Sequence, residues 1–120
     1  MNDIQDLLTK AQALGEALAA HPRVTGYFAA QRTARADAAA QKLLQDYHNH
    51  LRHLNELETA RKPVEVADKH KLRDLENQIA GQETLKSLMR AQADYVALMN
   101  QVNQAMEAPL AGLGPPEKPA

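Results

Sequence analysis

The sequence predicts an all-α fold: a four-helix chain with one very long helix, paired with a second copy of itself. Three observations carry this prediction. Strong helix formers (alanine, leucine, glutamine, glutamate, lysine and arginine) dominate between the breaks. Apolar residues recur at helical rather than alternating spacing. A leucine-spaced helix that ends at a short break and is followed by a second helix occurs twice: Leu14, Leu18, His21, Pro22, Val24, Tyr27, Phe28 and Ala30 line up with Leu75, Ile79, Gln82, Glu83, Leu85, Leu88, Met89 and Ala91.

The first helix begins at Asn2 or Asp3, whose side-chain oxygens can cap the unpaired amides of the first turn. Ile4, Leu7, Ala11, Leu14 and Leu18 then step by 4 and 3 and paint one stripe. It should stop near Ala20, because Pro22 disfavours helical geometry at His21 and suits the first turn of a new helix. From Pro22 to Arg61 only Gly26, in the opening turn, interrupts the pattern, and the stripe continues through Val24, Phe28, Leu44, Tyr47, Leu51 and Leu54. A helix of ~40 residues is ~60 Å long, whereas a compact chain of this size has a radius of gyration near ~14 Å. Such a rod overhangs its own domain. The sequence reading therefore expects a second subunit to cover it rather than a kink, with the alanines Ala34, Ala36, Ala38, Ala39 and Ala40 letting another helix approach closely.

Lys62-Pro63 ends the rod. A short third helix carries Leu72, Leu75 and Ile79, and Gly81 is expected to supply a left-handed stop. The fourth helix has the most regular pattern: Leu85, Leu88, Gln92, Tyr95, Met99, Val102 and Met106 alternate steps of 3 and 4, the seam of helices packed at a shallow angle. Residues 1–108 thus read as one helical domain, and 109–120, with Pro109, Gly112, Gly114, Pro115, Pro116 and Pro119, as a disordered tail. The stripe residues Phe28, Leu44, Tyr47, Leu51 and Leu54, with Leu85, Leu88, Tyr95, Met99, Val102 and Met106, are the expected dimer or partner interface.

Composition limits what such a chain can do. Of its 120 residues 44% are hydrophobic, but 22 are alanine, which buries little area, and only Phe28, Tyr27, Tyr47 and Tyr95 are aromatic. A core shared with another chain follows. The net charge is −1, so no global field draws the protein to nucleic acid or to an anionic membrane. There is no cysteine, hence no disulfide and no thiolate metal site. The amino terminus, Met1-Asn2-Asp3, lacks the basic-then-apolar pattern of a signal peptide, and no run approaches the ~20 apolar residues of a membrane span. A cytoplasmic protein is expected.

Chemistry-bearing residues are few. His48, His50 and His53 crowd one stretch, with His50, His53 and Asp46 on one face. The spacing lacks the i, i+4 ligand pair of a zinc helix, so solvent-facing histidines are expected rather than a metal site, a pH-sensitive face being the softer alternative. Arg61, Lys62, Lys69, Lys71 and Arg73 gather near the third helix but are interleaved with Glu65, Asp68 and Asp74, and Arg23, Arg32 and Arg35 form a smaller row. Both read as solvated surface, which argues against direct nucleic-acid binding. Ser87 is the single serine, and no phosphate loop, nucleophile elbow or apolar carboxylate pair occurs. The inventory indicates neither an enzyme nor a cofactor.

Two segments resemble the YlbF/YmcA family of small helical bacterial regulators. One is Leu72-x-x-Leu75-x-x-x-Ile79, a break, then Leu85-x-x-Leu88-Met89-x-Ala91-x-x-x-Tyr95-x-x-Leu98-Met99-x-x-Val102-Asn103-x-x-Met106. The other is the His21-Pro22-x-Val24-x-x-Tyr27 corner with Ala40-x-x-Leu43-Leu44-x-Asp46-Tyr47. The resemblance spans residues 4–107 and implies an intertwined all-helical homodimer that regulates through contacts with another protein. The best-studied members join a three-protein complex that assists ribonuclease-driven RNA maturation, so an RNA-associated accessory factor is the alternative role. Some of them hold iron–sulfur clusters through cysteines; this chain has none, and that property does not carry over.

Overall fold

The computed structural model describes residues 3–114, which form five helices: α1 (Asp3–Ala19), α2 (Pro22–Ala36), α3 (Ala38–Thr59), α4 (Val66–Gly81) and α5 (Glu83–Ala111). The fold class is all-α as expected, but there are five helices where four were predicted. The predicted rod is split at Asp37, which sits in an extended conformation (φ −88°, ψ 101°). Its Oδ1 accepts from the Ala40 amide at 3.1 Å, so it caps α3 while α2 ends beneath it. Aspartate followed by three alanines is a good N-cap sequence, and a favourable cap competes with helix continuation.

The break changes what covers the second half of the rod. α3 is packed on α4, its neighbour in the same chain, and α2 is packed on α5. The Leu44–Leu54 stripe is thus partly covered within the chain: Leu44, Tyr47 and Leu54 are half-buried, and Leu51 stays exposed. Two of the alanines expected to admit another helix, Ala34 and Ala40, are buried within the chain at the elbow.

Each remaining break has its own cause. His21 caps α2, its Nδ1 accepting from the Arg23 amide at 3.1 Å, with Pro22 in the first turn. α3 ends in a Schellman arrangement: the Arg61 amide donates to the Glu58 carbonyl (3.1 Å) and the Lys62 amide to the Leu57 carbonyl (2.8 Å), with Arg61 itself left-handed at φ 57°. Gly81 is not the left-handed stop that was expected. It is the last residue of α4, in helical rather than left-handed geometry, and the chain turns instead through extended Gln82, whose side chain accepts from the Leu85 amide at 2.8 Å. Helix α5 runs past Pro109 to Ala111, into the segment expected to be tail. Pro109 lies in its last turn, where the bond it removes is near the fraying end. Asn2 and residues 115–120, part of the capping and tail expectations, lie outside the described residues.

The two limbs run antiparallel about the turn at Arg61-Lys62. Tyr27 stacks on Tyr95 (centroids 4.7 Å apart), Asp37 meets Thr84 (2.7 Å) and His53 meets Asp68 (3.3 Å). The outcome is not compact. The radius of gyration is 21.4 Å and the extents are 65 × 41 × 21 Å, against ~14 Å for a globule of this length.

Candidate interaction surface

Two polar clusters hold the antiparallel limbs together. At the elbow, Asp37 Oδ2 accepts from Thr84 Oγ1 (2.7 Å) and Gln82 Nε2 (3.0 Å), which ties the α2–α3 break to the α4–α5 break. The Thr84 hydroxyl first, then Gln82 and the Ala40 amide, stabilise the carboxylate and lower its pKa below the ordinary aspartate value. The elbow has no reactive group besides this one acid, and every partner of that acid is structural.

The second cluster lies between α3 and α4. His50 is buried, with 3% exposure, and corrects the expectation of solvent-facing histidines. Its Nε2 lies 2.8 Å from the Asp68 carbonyl oxygen; a carbonyl only accepts, so Nε2 carries the proton and donates. Asp68 also accepts from the Glu65 amide at 3.3 Å and faces His53 Nε2. His48 lies beside Tyr47, away from this cluster (ring centroids 5.9 Å apart), and is exposed. Asp46, Asn49 and Lys71 join His50, His53, Asp68 and Leu75 around an open cleft. Among the described residues, no group of three or more histidine and carboxylate side chains is placed to hold a metal ion. The cleft's histidines and acid bind each other, and their chemistry is that of a helix–helix seam.

Apolar surface is the more prominent feature. Ile4, Leu7 and Leu8 on α1, Phe28 on α2, Leu51 on α3, and Met89, Val96, Met106 and Leu110 on α5 are all exposed, as is Leu113 beyond it. Of the interface residues named from the sequence, Phe28, Leu51 and Met106 are exposed, while Leu44, Tyr47, Leu54, Leu88, Tyr95, Met99 and Val102 are half-buried along the intrachain seams. Leu85 is enclosed at the start of α5, with 3% exposure. Tyr95 is stacked on Tyr27, with Phe28 at its edge (6.3 Å). Leu8, Leu110 and Leu113 carried no sequence expectation, and Leu7, although part of the predicted α1 stripe, lay outside the predicted interface. Asp37 carried none either: its Asp-Ala-Ala-Ala pattern permits a cap without requiring one.

The basic residues Arg23, Arg32, Arg35, Arg61, Lys62, Lys69, Lys71 and Arg73 are exposed. No helix among the described residues is long and apolar enough to cross a membrane.

Comparison with known proteins accords with this helical architecture. Residues 7–111 match the family described as control of competence regulator ComK, YlbF/YmcA. A UPF0342 protein of Levilactobacillus brevis is 32% identical over 105 residues, covering 84% of this chain and 92% of the relative. The matched span runs from the first turns of α1 to the last residue of α5. The chain belongs to the YlbF/YmcA family of regulatory proteins.

Proposed function

We propose that this protein is a non-enzymatic helical regulator of the cytoplasm that works by protein–protein contact, as a homodimer that engages another protein. The observation that carries the reading is surface area. The chain exposes 9593 Å², whereas a compact monomer of 13.2 kDa exposes about 6,400 Å². The surplus is several times the ~800 Å² that one partner contributes to a standard stable interface. On that surface Leu7, Leu8, Phe28, Met89, Met106 and Leu110 are each about half exposed or more, and clustered apolar exposure marks contact sites. The family's description as control of a competence regulator supports a regulatory partner of protein nature. Rod length is no part of this reading, because the rod is broken at Asp37 and its second half packs on α4.

Tagged protein is captured from its native cytoplasm, with and without ribonuclease, and its own mass is measured by sedimentation. A protein partner that survives ribonuclease, bound to a dimer, is the expected outcome. Loss of the partner on ribonuclease treatment would replace this reading with the RNA-associated one, and a monomer at all concentrations would remove the homodimer.

A further inference from the structure

Each limb is bent at a single residue, and the two bent residues hold each other. Asp37 (φ −88°, ψ 101°) separates α2 from α3, and Gln82 (φ −79°, ψ 119°) separates α4 from α5. Each caps the helix that follows it through the amide three residues on: Asp37 Oδ1 accepts from Ala40 (3.1 Å) and Gln82 Oε1 from Leu85 (2.8 Å). Asp37 Oδ2 then accepts from Gln82 Nε2 and Thr84 Oγ1, so the acid belongs to both breaks. Gln41 reaches back across the first break, its Nε2 donating to the Ala34 carbonyl at 2.9 Å. These side-chain bonds stand where an unbroken helix uses its own backbone. The residues themselves would allow that helix. Neither break contains proline; Ala38, Ala39 and Ala40 follow Asp37, Glu83 follows Gln82, and all suit a helix interior.

We propose that the elbow is a two-limbed hinge latched by the Asp37 carboxylate: rotation about ψ of Asp37 and of Gln82 interconverts this bent form and a straight one, in which α2 joins α3 and α4 joins α5. One angle per limb suffices. At both residues φ already lies in the helical range, while ψ must fall from 101° and 119° to about −42°. The straight form gains backbone partners for the amides that now open α3 and α5. It loses the Asp37 cluster and the close packing of Ala34 and Ala40 at the elbow. The limbs move together, because α3 lies on α4 and α2 on α5, and straightening one limb alone would pull these pairs apart. The Gln82–Asp37 bond links the breaks directly. Phe28 on α2 and Leu51 on α3, both exposed and one on each side of the elbow, are thereby reset relative to each other. A partner that bridges the elbow selects one setting by its differential affinity for the two. The hinge is a property of the single chain and does not depend on the homodimer.

The absence of native cysteine lets spin labels be placed at chosen sites. Full-length chains carry Ala29→Cys with Asn55→Cys across the first break, or Arg73→Cys with Asp94→Cys across the second, all at exposed positions. Dilution with unlabelled protein restricts pulsed electron resonance to distances within one chain. A straight helix sets the first pair of Cα atoms ~39 Å apart and the second ~32 Å, at ~1.5 Å per residue, and the bent chain holds both pairs closer. With Asp37 intact, the shorter distances should dominate. Asp37→Ala, which removes cap and latch together, should raise the population at the longer distance at least ~5-fold in both pairs, the effect of about one net hydrogen bond. Thr84→Val keeps the side-chain shape and removes one bond, so a smaller rise in the same direction is expected. It decides the matter if circular dichroism shows that Asp37→Ala has lost helix. Unchanged distances in the helical variants would overturn the hinge, as would a broad spread with no population at the straight-helix value. Lengthening of one pair alone would overturn the two-limbed motion.

Discussion

Asp37 shows how one side chain divides a helix that composition alone would continue. Its carboxylate serves an amide, a hydroxyl and a carboxamide at once. Because its folded pKa is lowered, the stabilisation is present above the unfolded value of about 3.9 and is lost as pH falls through the folded one. Asp37→Asn should therefore melt at a lower temperature than wild type at neutral pH, with the gap narrowing on acidification below about pH 4; calorimetry against pH checks this. Arg61 offers the opposite change. A non-glycine residue in the left-handed region costs ~1–2 kcal/mol, and glycine's extra unfolded-state entropy returns part of that. Arg61→Gly, at φ 57°, is expected to raise stability by about 0.5–1 kcal/mol, read from the urea midpoint.

Among the elements, the two seams differ in what holds them. The α2–α5 seam relies on stacked aromatics and close packing, with Ala34 at 2% exposure and, at the elbow, Ala40 at 0%. Ala40→Leu should therefore cost about 1–3 kcal/mol through overpacking, with urea denaturation as the measurement. The α3–α4 seam is more polar, and His50 is its buried anchor. His50→Ala removes a ring and a hydrogen bond from that seam and should cost about 1–3 kcal/mol. Amide hydrogen exchange should then rise in α4 before it rises in the α2–α5 pair. Equal exchange in both pairs would show that the seams open as one unit.

At the scale of the whole molecule, the extents of 65 × 41 × 21 Å and the exposed apolar rows describe a chain that does not close into a globule on its own. If folding is completed by a second copy, mass action couples stability to concentration. The melting temperature should rise with protein concentration, and the mass in solution should be twice 13.2 kDa. A concentration-independent melt and a single-chain mass would show that the chain does not self-associate and that its apolar rows stay open in the isolated protein.

Much of this was legible in the residues. Helix-forming composition and 3–4 apolar spacing determined the all-α class, because intrinsic propensity and amphipathic burial are local properties of the chain. The His21-Pro22 corner, the end near Lys62-Pro63 and the break before Leu85 were readable because capping and proline chemistry act within a few residues. The stop assigned to Gly81 was displaced to Gln82, since glycine permits a left-handed turn without requiring one. What only the tertiary structure decided was the fate of positions 37 and 50. An aspartate within a run of helix formers is ambiguous until Thr84 and Gln82, distant in sequence, bind its carboxylate, and a histidine's burial depends on the helix laid across it. Which apolar rows remain open was likewise decided by three-dimensional packing, because it depends on which distant helix lies against each stripe.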